Sequence, residues 1–88
     1  MDPLAPEDDE TRALRDRVAD LAAQITPEAT IHDFRVVKGT THTNLVFDLL
    51  IPHGCPIADR QIADRVREGV RAFDGNFFAV VRIDKGFL

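Results

Sequence analysis

Leu14, Val18, Leu21 and Ile25 recur at spacings of four, three and four residues, with Arg12, Arg15, Asp16, Arg17 and Asp20 between them. That spacing draws one apolar stripe along an α-helix and predicts a helix near 8–26. Thr26-Pro27 closes it, because the residue before a proline is pushed out of the helical region. Ahead of it, residues 1–7 are Pro-rich and acidic without any period, and read as a frayed lead-in. The acidic run Glu7-Asp8-Asp9-Glu10 falls at the positive end of the helix dipole, where each carboxylate is worth about 0.3–1 kcal/mol.

Beyond Pro27 the period changes. Thr30–Val37 is rich in β-branched residues and predicts a strand over 30–38. Lys38-Gly39-Thr40-Thr41 is a turn, and Thr43–Ile51 alternates clearly. Leu45, Phe47, Leu49 and Ile51 point one way; Asn44, Val46, Asp48 and Leu50 point the other. A connection this short predicts a β-hairpin. The loop Pro52-His53-Gly54-Cys55-Pro56 leads to a second helix near 58–73, with Asp59 as its candidate cap and Ile62, Val66, Val70 and Phe73 as its stripe. Asp74-Gly75-Asn76 stops it, with Gly75 available for a left-handed cap, and a third strand is predicted over 77–84.

Two helices with one stripe each cover only one face of a sheet. The connection through the second helix is long enough for a right-handed crossover, so strand three runs parallel to strand two. The expected class is therefore α+β: one α-β-β-α-β ferredoxin-like, metallochaperone-like domain spanning 1–88, a three-stranded sheet with two helices on one face. The other face carries Val46, Asp48, Leu50, Phe78, Val80, Arg82 and Asp84. That mixture is too apolar for water and too charged for a core, which marks an interface. Val46, Leu50, Phe78, Val80 and Arg82 are its candidate residues, and a second copy of the chain is the expected partner.

Composition narrows the function. The chain has 88 residues, 11 Lys and Arg against 15 Asp and Glu, and a net charge of -4. The acid excess argues against nucleic acid, which rewards a basic patch. Trp and Tyr are absent, leaving six Phe as the aromatic side chains. One cysteine, Cys55, makes no internal disulfide and fits a reducing compartment. The apolar run Leu45–Ile51 is interrupted by Asp48 and falls well short of the ~20 residues of a membrane span, so the piece in hand reads as soluble.

The candidate chemistry is sparse. His32 with Asp33 reads either as a metal ligand and its neighbour or as a locally hydrogen-bonded strand histidine; zinc wants three or four converging ligands, which favours the second. His42, in its Thr-Thr-His-Thr-Asn turn, is read as locally satisfied. His53 and Cys55 have chelate spacing in a loop but are only two ligands. Asp48, Arg82 and Asp84 pair with one another across strands as the default. No nucleophile with an oriented base is visible, so no enzyme is expected.

The stretch Ile31-His32-Asp33-Phe34-Arg35-Val36-Val37-Lys38-Gly39-Thr40-Thr41-His42-Thr43-Asn44-Leu45-Val46-Phe47-Asp48 resembles a segment of bacterial cation diffusion facilitator transporters. There, a strand opening with His-Asp-(Leu/Phe)-Arg leads through a Gly-(Pro/Thr)-Thr-His-Thr-Asn turn into the next strand. Asn76-Phe77-Phe78-Ala79-Val80-Val81-Arg82-Ile83-Asp84 resembles the closing strand of the same module, and Met1-Asp2-Pro3 the His-x-Asp-Pro ending of the family's ordinary cytoplasmic domain. The chain thus looks like a second cytoplasmic domain appended to the first.

The resemblance implies a cytoplasmic dimerisation or regulatory domain of a divalent-cation efflux transporter, typically for Zn²⁺, at the cytoplasmic face of the membrane and joined to a transmembrane part. It also implies a homodimer that can hold metal between subunits. Carried over residue by residue, His32 matches the histidine of the family's His-Asp pair and Asp84 a carboxylate. Asp48 stands where the ordinary domain has a second-strand histidine. Arg82 replaces a third-strand histidine, and Arg60 lies near a further histidine position; a guanidinium cannot bind a cation. His32, Asp48 and Asp84 are the remaining candidate ligands for zinc there. The other classes are a free-standing metallochaperone-like carrier, for which only His53 and Cys55 are at hand, and a small-molecule sensor.

Overall fold

The computed structural model describes residues 9–86; the lead-in 1–7 and the Met1-Asp2-Pro3 match lie outside them. Five elements follow in the order α1 (Asp9–Ile25), β1 (Thr30–Lys38), β2 (Thr43–Ile51), α2 (Asp59–Phe73) and β3 (Phe77–Lys85). The chain is an α+β domain of the expected α-β-β-α-β class. β2 is central in the sheet order β1-β2-β3, antiparallel to β1 and parallel to β3.

The core follows from the alternation of β2. Leu45, Phe47, Leu49 and Ile51 are at most 1% exposed, facing Val18 of α1 and Ile62, Val66 and Val70 of α2, each fully buried. Burying each such side chain is worth about 1.5–3 kcal/mol before entropy is counted. Phe34 of β1 reaches the same layer, its ring 5.8 Å from that of Phe47. Ala22 joins Leu14 and Val18 on the buried stripe of α1. Arg17 lies over the Phe73 ring at 4.1 Å, closing the seam between the helices.

Two ends of α2 differ from expectation. The N-cap is Ala58, extended at φ -67° and ψ 147°, with no side-chain cap bond. Asp59 is the first helical residue, and its carboxylate meets Lys85 Nζ at 3.0 Å; it is drawn to the end of β3 instead of to its own helix amides. At the other end Gly75 takes no left-handed conformation. Asp74 is extended, its Oδ1 accepts the Asn76 N–H at 2.9 Å, and its carbonyl accepts the Phe77 N–H at 2.9 Å. An aspartate turn leads directly into β3, which makes a glycine cap unnecessary.

Candidate functional site

The uncovered sheet face is organised in four rows set by the strand register. Across β1, β2 and β3 these are Thr30–Leu50–Asp84, His32–Asp48–Arg82, Arg35–Val46–Val80 and Val37–Asn44–Phe78. The alternation that sends Leu45 to Ile51 into the core sends their neighbours here. Val37 is 52% exposed, Val80 50% and Phe78 39%, while Val46 and Leu50, on the central strand, are half-buried. Phe78 also touches its own chain, with the His42 ring edge-on at 5.0 Å and the Arg71 guanidinium at 4.7 Å.

One feature of β1 escaped the sequence reading. The register shifts between His32 and Arg35, and Asp33 adopts φ 56°. Two residues of β1 there oppose one of β2, with the first in the left-handed region that glycine usually fills in such bulges. The extra residue lets His32 share a face with Asp48 while Phe34 stays in the core. A signal existed: Ile31, Phe34 and Val36 all turn inward, and a step of three followed by two breaks strict alternation. Beside the bulge lies a shallow depression of about 540 Å³ lined by Asp33, Arg35, Val46, Asp48 and Arg82 among others.

The charges of this face are incompletely paired. Arg82 uses its Nε, at 3.5 Å from Asp84 Oδ1, a contact along β3 and not across strands. Among the described residues no ion pair or hydrogen bond engages the Asp48 side chain, although Arg82 is its register neighbour. His32 Nε2 lies 3.0 Å from Thr30 Oγ1, two residues along its own strand.

The register therefore brings His32, Asp48 and Arg82 into one row and leaves Asp84 in the next. Among the described residues no three His, Cys, Asp or Glu side chains converge as a metal would require. The donors of one chain do not fit a zinc centre of three or four ligands. Arg60, in the first turn of α2, is exposed and on the other layer. His53 and Cys55 sit in the loop before α2, where Gly54 has φ 86°. The Cys55 thiol donates to Thr26 Oγ1 at 3.8 Å, just past the end of α1, and His53 lines one shallow depression with both. No helix among the described residues is long and apolar enough to cross a membrane.

No protein-family model and no curated protein sequence matches the chain. Among solved structures it is similar to the metal-bound C-terminal domain of the CzcD transporter from Thermotoga maritima. The TM-score is 0.66 over 89% of this chain and 94% of that one, at 10% sequence identity. The two share a fold.

Proposed function

We propose that this chain is a cytoplasmic dimerisation and regulatory domain of a divalent-cation efflux transporter, zinc-type, with no catalysis of its own. It is joined in the whole protein to a membrane-spanning part. The observation that carries the reading is a half-apolar, uncovered sheet face on a fold shared with a transporter's C-terminal domain. The His32-Asp33-Phe34-Arg35 opening of β1 and the Gly39–Asn44 turn support it from the sequence side. A second copy is the partner, and the acid excess leaves nucleic acid aside.

Two measurements test this. In cells of the source organism, an antibody against the domain should find it in the membrane fraction on a polypeptide much longer than 88 residues; an 88-residue soluble protein overturns the transporter assignment. Sedimentation of the purified chain should show reversible dimers that Val80→Lys weakens about tenfold or more with the circular dichroism unchanged, since a buried like charge at each copy of an isologous contact costs heavily. A strict monomer up to about 1 mM, where association is worth only ~4 kcal/mol, overturns the dimer.

A further inference from the structure

Asp48 is a half-buried carboxylate in the middle of the central strand, on the face away from both helices, and among the described residues no side chain pairs with it. Its register neighbour Arg82 meets Asp84 through Nε, and among the described residues neither terminal guanidinium nitrogen has an ion-pair partner. A carboxylate and an arginine side by side in one row form a self-complementary pair. A two-fold axis running along the strands, midway between β2 and β3, lays β2 of one copy over β3 of the other at the same height. Each row then faces itself with the strands exchanged, so Asp48 meets the other copy's Arg82 twice, and Val46 meets Val80 twice.

We infer that the paired Asp48–Arg82 contacts are an intersubunit latch that holds the dimer without metal. The inference rests on the dimer reading above and deepens it. Sheets stacked face to face lie ~10 Å apart, a gap that a short aspartate and a long arginine bridge together. The depression beside Asp48 gives the arriving guanidinium room. Arg82 offers a planar fork to a carboxylate, so the latch needs no metal ion. The two strands that this axis superposes, ~4.8 Å apart and about nine residues long, bury a flat area on the order of 300 Å², below the ~800 Å² per partner of a standard interface. The dimer of the isolated chain is therefore weak, and a correct charge pairing decides whether it forms.

Charge reversal separates contacts between chains from contacts within one. Asp48→Arg alone sets arginine against arginine across the interface, and Arg82→Asp alone sets aspartate against aspartate. Each should weaken self-association about tenfold or more. Mixing the two variants in equal amounts restores both cross-chain pairs while leaving each chain's internal row altered, so heterodimers should form at close to wild-type affinity, read by sedimentation with one variant fluorescently labelled. A chelator should leave wild-type association unchanged. The neutral changes Asp48→Asn and Arg82→Gln cover the case in which a reversal fails to fold, and each should weaken the dimer severalfold. A monomeric wild type sinks the dimer reading itself. A wild-type dimer that tolerates the single reversals, or reversals whose mixture regains nothing, sinks the latch alone.

Discussion

A Cβ built on Gly69 of α2 would lie 2.5 Å from both δ-methyls of Leu21 on α1, so the two helices touch at a point where only a glycine leaves space. Two effects compete there. Alanine in a helix interior is favoured over glycine by about 1 kcal/mol, while the Leu21 side chain must move aside. Leu21 is only half-buried and can turn toward water. Gly69→Ala is therefore expected within about 1 kcal/mol of wild type, and in a Leu21→Ala background it becomes a gain of about 1 kcal/mol. Urea denaturation of the four proteins measures the coupling; equal effects in both backgrounds would show that the contact is not what constrains position 69.

The bare cap of α2 gives a stabilising change. Ala58 already has the extended backbone of an N-cap residue but no side-chain oxygen to accept from the first-turn amides. Ala58→Ser or Ala58→Asp should gain about 1 kcal/mol, which is a rise of about 4–8 °C in melting temperature for a domain of this size. An unchanged melting temperature would mean that those amides are already satisfied.

Asp33 stands at φ 56°, where a β-branched residue is strained by about 1–2 kcal/mol and glycine is not. Asp33→Val should destabilise by about that amount, and Asp33→Gly should leave stability unchanged or slightly higher. Equal losses for both changes would point to the carboxylate, and not the backbone, as what position 33 contributes.

Zinc should bind the wild-type chain at most weakly through His32, Asp48 and Asp84, and Arg82→His should raise its affinity. The Arg82 side chain is 76% exposed, so repulsion of the ion by its charge is largely screened and worth about 1 kcal/mol or less. The missing ligand weighs more, because two or three donors fall short of the set zinc closes around. Calorimetric titration of both proteins decides it: micromolar binding by the wild type would show that the arginine does not block the site.

The sequence made the elements legible because their periods are clean. Leu45–Ile51 alternates without a break, and Ile62, Val66, Val70 and Phe73 keep helical spacing, so every observed boundary lies within about one residue of the expected one. What it hid depends on contacts between distant residues. Asp59 looked like a cap until Lys85, brought in by the parallel strand, took its carboxylate. Gly75 looked like a left-handed terminator until the Asp74 side chain closed the turn. Of the face residues, the β2 and β3 members were read correctly from alternation, while the approach of His32 to Asp48 needed a bulge that strand pairing alone reveals.

The two strand pairs of the sheet are closed by chain segments of very different length. Residues 39–42 join β1 to β2, whereas residues 52–76, containing α2, must fold back before β3 can pair with β2. The hairpin can form from local contacts; the parallel pair waits for the long loop, whose closure is slow. β3, which carries Phe78, Val80 and Arg82, is therefore expected to be the last strand to dock. Pulse-labelling during refolding should show its backbone amides protected after those of the hairpin. The strand that completes the uncovered face is then also the one that completes the sheet, so a chain caught before it docks has no face to offer a second copy.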